Sequence, residues 1–241
     1  VLLKNNRYKF SKLFSINMVG GFFNIFFPSI IGGDALRIYY IKNDNFPLKQ
    51  ATNVILFERL VGLYSIFLMG VIAAIIGKNI VISEIRITLI TISIIGVIIL
   101  SLLYFYNSIF LNLLGRISNK HSSKTIKKII SFFKIFDFSR YNTLMLLNSI
   151  FLSILIYSIG IIIIIIVGNA LGFVQINILY YFIFVPLVTI ITLLPISIGG
   201  FGVREGLFGL FLAPLDISLA ESTLLSLLAY FPFLIVGLIG G

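Results

Sequence analysis

The sequence predicts an all-α integral membrane protein, a polytopic helical bundle with two re-entrant broken-helix hairpins in a pseudo-inverted repeat. Three observations carry that expectation. No formal charge occurs between Arg86 and Arg116 or between Arg140 and Arg204, and about 20 apolar residues span a bilayer as a helix. The chain is 59% hydrophobic and 11% charged, with a mean hydropathy of +1.14, whereas soluble domains carry about 25% charged residues. Finally, a P-x-x-I-G-G-x-x-x-R pattern occurs twice, from Pro28 to Arg37 and again from Pro195 to Arg204. Proline removes a backbone donor and paired glycines loosen a helix, so each copy marks a place where a helix stops and restarts.

The elements follow in order. Residues 1–12 carry Lys4, Arg7, Lys9 and Lys12, the mark of a cytoplasmic segment. Ser15 to Ile31 is apolar but interrupted by Asn17, Gly20, Gly21 and Asn24, and it runs into the first repeat. A short segment, Ala35 to Ile41, precedes a polar connection with Lys42, Asp44 and Lys49. A long helix is expected over 48–77 with Glu58-Arg59 inside it, then a loop with Lys78, Glu84 and Arg86, then a clean span at 87–106. The stretch 107–140 is a basic cytoplasmic connection. Within it Ile126, Ile129, Ile130, Phe133 and Phe136 fall at helical spacing opposite lysines, which describes an amphipathic helix on an anionic leaflet. Spans at 143–168 and 217–239 flank the Pro-interrupted run 176–200, the second repeat and an apolar piece at 207–215.

Charge parity then fixes the sides. With 116–140 inside, the spans 87–106 and 48–77 place 37–49 inside as well. Residues 1–12 are also inside by their charge, so 13–36 enters and leaves on one side. If 1–12 lies outside instead, 13–36 is a full crossing. Continuing forward, if 176–215 is likewise re-entrant it forms a second hairpin of opposite entry, and paired broken helices of this kind are the sequence pointer to a transporter's binding site.

Several classes are excluded. The chain has no cysteine, which removes disulfides and thiolate chemistry. His121 is the single histidine, in a basic polar loop, and no Walker-type glycine loop or Asp-x-Asp metal motif occurs. No cofactor is therefore expected. The net charge of +10 sits between apolar spans, so topology and anionic lipid explain it and nucleic acid does not. The chain opens at Val1 and closes on Gly240-Gly241 straight after an apolar run. The expectation is one transmembrane domain over 1–241, a fragment lacking at least one N-terminal span.

Asp34, Arg37, Glu58, Arg59, Arg204, Glu205 and Glu221 are the ionisable residues expected at membrane depth. One such charge at a helix centre costs about 2.5–3.5 kcal/mol on insertion scales, so each calls for a partner or a polar cavity. Glu58 lies roughly 13 Å below Lys49 at 1.5 Å per residue. Adjacent helix residues diverge by about 100°, so Glu58 and Arg59 cannot both face the same neighbour; one arrangement pairs Glu58 with Arg37, the other pairs Arg59 with Asp34. A helix restarting after Gly33 or Gly200 offers unpaired N–H groups suited to a phosphate, and Arg37 and Arg204 add bidentate charge. The candidate ligand site is thus Gly32, Gly33, Asp34, Arg37, Glu58, Arg59, Gly199, Gly200, Arg204 and Glu205, around a polar cavity between the hairpins. The alternative is that these charges only neutralise one another and brace the hairpins.

Three runs in order carry a resemblance: Phe22-Phe23-Asn24 through Arg37, Leu56-Phe57-Glu58-Arg59-Leu60-Val61-Gly62, and Pro195 through Gly206. Together they resemble the flippase-like transmembrane region of lysylphosphatidylglycerol synthases, a module also found in free-standing bacterial and archaeal membrane proteins. The resemblance implies a multi-pass cell-membrane protein whose partner is a membrane lipid, an anionic phospholipid or a lipid-linked head group, moved between leaflets. In two-domain relatives a separate soluble domain makes the aminoacyl lipid; that domain does not occur in these residues, so lysyl transfer is not implied. Two other functions compete with a flippase. One is an integral-membrane transferase on lipid-linked sugar or aminoacyl lipid, with Glu58 or Asp34 as base. The other is a structural subunit of an envelope-lipid synthesis complex, docking through 122–137.

Overall fold

The computed structural model describes residues 9–27, 31–43, 47–78, 83–120, 141–193, 197 and 199–241, and among them the only regular structure is helical. In chain order the helices are α1 (Phe10–Phe26), α2 (Ile31–Asn43), α3 (Leu48–Ile76), α4 (Ser83–Lys120), α5 (Thr143–Ala170), α6 (Ile178–Thr192), α7 (Val203–Leu212) and α8 (Leu219–Ile239), with a 3₁₀ turn at Ala213–Leu215. Among the described residues, four stretches are long and apolar enough to cross a membrane: Leu48–Ile76, Arg86–Tyr104, Thr143–Ala170 and Leu219–Ile239. They coincide with the four spans expected from hydropathy. The expected amphipathic helix at 122–137 lies outside the described residues, as do Pro28–Ile30 and Pro195 of the repeats.

Local chemistry sets the helix ends. Phe27 is extended, with ψ 142°, as a residue before proline must be. Asn142 and Asn177 cap α5 and α6 by accepting from the backbone N–H groups of Leu144 and Leu179, which satisfies donors that would otherwise be orphaned. Ser218 and Glu221 form a reciprocal capping box on α8. Glu221, expected as a charge at membrane depth, sits exposed at a helix start, where a carboxylate favours the helix dipole.

Packing is organised by α3. Antiparallel α4 lies on one side of it, with Ser93 against Gly70 and Phe67 against Gly96. Parallel α5 lies on another, with Tyr141 stacked on Phe57 at 3.9 Å and Ser65 near the Ile150 carbonyl. The outer faces of α4 and α5 stay apolar and open: the best apolar window of each is only 11% buried, and Ile92, Ile95, Phe151 and Ile166 are exposed. Faces of that kind belong against lipid tails.

Two helical hairpins complete the bundle, one from each end of α3. The α1–α2 hairpin begins where Ile16 and Ile41 pack with Ala51 and Ile55, and the first turn of α2 lies beside the interior of α3, where Asp34 meets Arg59. The α6–α7 hairpin begins at the other end, where Ile183 covers Gly77. Its aromatic seam puts Phe184 edge-on to Phe208 and stacked on Phe211, and Tyr180 donates to the Phe211 carbonyl. The tip of this second hairpin lies beside the middle of α8, near Tyr230. Helix α8 then runs antiparallel along α1, with Gly237 at Ile25 and Gly240 at Met18.

The two repeats break differently, contrary to the expectation that each helix restarts after its glycine pair. Helix α2 starts at Ile31, so Gly32 and Gly33 are helical. Their role is close approach: a Cβ on Gly33 would run into the Gly20 carbonyl and the Asn24 amide of α1. In the second copy Gly199, Gly200 and Gly202 have φ of 59°, 80° and 82° and precede α7, a conformation glycine adopts without steric cost.

Gly33→Ala therefore overpacks the first hairpin and should lower unfolding stability in detergent by about 1–3 kcal/mol. Gly21→Ala, whose added Cβ meets nothing within 4 Å, should shift it by less than about 0.5 kcal/mol. Thermal unfolding of the two purified variants checks the contrast.

Candidate functional site

The charges of the first repeat form one connected network. Asp34 is one turn N-terminal to Arg37 on α2, and both face α3. Arg59 donates to Asp34 through Nε and Nη2, both at 2.7 Å, a two-point grip that only a planar guanidinium makes. Arg37 reaches Glu58 at 2.6 Å through Nη2 and Asp34 at 3.3 Å through Nη1. Both pairings considered from the sequence thus coexist, because Glu58 and Arg59 point at different residues of α2. Two positive and two negative charges cancel, which removes most of the penalty of holding them in an apolar bundle.

The members of this network are not equally held. The Arg37 side chain is 9% exposed and Asp34 16%, but Glu58 is 45% exposed. The Arg37 stem lies against Gly20, where a Cβ would come within 2.7 Å. Its Nε is buried with no hydrogen-bond partner. Arg37 is thus fixed and has a donor to spare, and Glu58 is the partner most free to move. A cavity of about 260 Å³ opens on this pair, with Asn17 of α1 and Ser149 and Ser153 of α5 on its walls.

The second repeat builds a smaller pair. Arg204 donates from Nη2 to Glu205 Oε1 at 3.0 Å and from Nε to Ser226 Oγ at 3.0 Å. Its guanidinium lies over the Tyr230 ring, 3.9 Å from the centroid, a cation–π contact strengthened by burial. These groups border a larger and mostly apolar cavity of about 330 Å³ between α3, α5, α6, α7 and α8.

The candidate residues therefore gather into two groups: Gly32, Gly33, Asp34, Arg37, Glu58 and Arg59 in one, and Gly199, Gly200, Arg204 and Glu205 in the other. The single cavity expected between the hairpins is instead two cavities among the described residues, both bordered by Ile156. The anion-binding backbone expected at the glycine turns is also differently employed. Asn24 Oδ1 accepts from the Gly33 N–H at 3.0 Å, and Glu205 Oε2 accepts from the Gly202 N–H at 2.6 Å. Side-chain donors of the arginines are the groups left for a ligand. No cluster of three or more His, Asp or Glu side chains among the described residues could hold a metal.

Sequence reasoning did not place Asn24, Ser226 and Tyr230 in the site. Asn24 was visible as an amide inside an apolar run, and Ser226 and Tyr230 as polar groups four residues apart on one face of α8. What linked them to their partners was tertiary packing.

The family model described as the lysylphosphatidylglycerol synthase TM region matches residues 1–241, the whole chain. No curated protein and no solved structure matches it.

Asp34 bonds both arginines while Glu58 bonds one and is half-exposed. Asp34→Asn should therefore cost about 3–5 kcal/mol, the usual loss on breaking a buried pair, and Glu58→Gln at most about 1 kcal/mol. Denaturation in detergent should rank the variants in that order, and an Asp34/Arg59 double-mutant cycle should show strong coupling.

Proposed function

The chain belongs to the lysylphosphatidylglycerol synthase transmembrane-region family, and from that premise we propose that it moves a phospholipid or a lipid-linked head group between the leaflets of a bacterial or archaeal cell membrane. The coarser statement stands on the family and the four apolar helices: this is a multi-pass membrane protein of a family linked to lipid synthesis or translocation. Translocation itself is our reading. The observation that carries it is the Arg37–Glu58 pair, a charged contact beside the interior of a long apolar helix that opens into a cavity. Buried charges in a membrane bundle that face a cavity mark a substrate path more often than a brace.

In this reading a head-group phosphate takes up the spare Nε donor of Arg37 and competes with Glu58 for the rest of the guanidinium. Arg204 places a second guanidinium on the second cavity, whose apolar walls suit an acyl or prenyl chain. The hairpins are re-entrant and dip from opposite faces, so each arginine serves one leaflet. Support for this comes from the way the hairpins pack from opposite ends of α3, the first turn of α2 and the turn at Gly199 each lying beside the interior of a long neighbour. No nucleotide motif is present in the sequence, so movement runs passively or on a gradient.

Purified protein in phosphatidylethanolamine–phosphatidylglycerol vesicles should carry fluorescent phosphatidylglycerol across the bilayer faster than protein-free vesicles. Arg37→Ala and Arg204→Ala should each fall to the protein-free rate while remaining folded. Wild-type rates from both variants would remove the arginines from the path.

A further inference from the structure

We propose that Tyr157 is the gate between the two cavities, the side chain a head group must displace to pass from the Arg37 site to the Arg204 site. The inference rests on the translocation reading above and locates its barrier.

The two cavities follow one groove between α3 and α5. Val61 and Ser153 border the first, Ile66 and Gly160 border the second, and Ile156 borders both. The junction therefore falls at Ile156–Tyr157 on α5. Opposite it α3 presents Gly62, and a Cβ there would lie 3.0 Å from the Tyr157 hydroxyl. The phenol thus reaches across the groove to the α3 backbone, at a position where α3 has no side chain of its own. The space in which the cavities would merge is occupied by one aromatic group.

Two further facts suit a gate better than a strut. The Tyr157 hydroxyl lies close enough to Arg59 and Glu58 to interact with both charges, so it borders the first site electrostatically while its ring borders the second. The residue is also only half-buried, with the open second cavity beside its ring to swing into. Because tyrosine is neutral, it closes the path without trapping the charge that crosses it.

The chain contains no cysteine, so single-cysteine reporters read the junction cleanly. Ser153→Cys reports on the first cavity and Thr192→Cys on the second. A charged thiol reagent applied at the face from which Ser153→Cys reacts should leave Thr192→Cys unmodified while Tyr157 is present, and should modify it once Tyr157→Ala is added. In the same vesicles Tyr157→Ala should raise phosphatidylglycerol movement on the order of tenfold, as removal of a modest barrier does, and Tyr157→Phe should stay near wild type. A brace lost from the bundle would instead slow movement. Tyr157→Leu, which keeps apolar volume but cannot reach α3, should open the path in the same sense if the alanine variant fails to fold. Unchanged reagent reach in folded Tyr157→Ala or Tyr157→Leu protein would overturn the gate. Wild-type vesicles that move no lipid, with the reagent pattern as described, would sink the transport reading and leave the gate standing.

Discussion

A guanidinium in an apolar bundle must meet a carboxylate, and the structure depends most on where that requirement is met. Arg59 grips Asp34 with two nitrogens, and Arg37 spans Asp34 and Glu58. These contacts tie α2 to α3 at a fixed register, since a shift of one residue would turn the charges to other faces of the helix. The α1–α2 hairpin is held in place by that register. Its glycines then allow the backbones to approach closely, and Asn24 satisfies the Gly33 N–H at the tip. Apolar packing alone would not fix the depth of the hairpin, because lipid tails compete with it on equal terms.

The second hairpin solves the same problem with different parts. It relies on an aromatic seam around Phe184 and on a glycine-rich turn in the left-handed region. Arg204 is neutralised by its own neighbour Glu205 and held over Tyr230. Two sequence copies of one pattern thus give two local structures with a similar outcome, an arginine facing a cavity beside the middle of a long helix.

Much of this was legible from the chain. Long apolar runs located all four candidate spans, two of which carry no formal charge apart from Arg86 at the end of one, because in a membrane the cost of a charge is large and local. That Glu58 and Arg59 face different neighbours followed from the 100° step between adjacent helix residues, and Arg37 and Asp34 were the partners on offer. Other features were hidden for physical reasons. The Pro and Gly signals in the two repeats are the same, but α2 already includes Gly32 and Gly33 whereas α7 starts only after the left-handed turn through Gly199, Gly200 and Gly202. Glu221 looked like a membrane charge by position, yet a Ser three residues earlier made it a cap. The division into two cavities depends on Gly62 and Tyr157, which are far apart in the chain and carry no local signal.

The contact of α8 with α1 has a consequence for how the protein is made. The face of α1 that meets Gly237 and Gly240 cannot be covered until the ribosome has produced residues 219–239. Before then, α1 is tethered by partners closer behind it in the chain: α2, the Ile16 contact with Ala51 and Ile55 of α3, and the α2–α3 ion pairs. Those charges form early and locally, ahead of the apolar seam that finally encloses them. The costliest groups are therefore neutralised before α8 emerges to cover this face of α1.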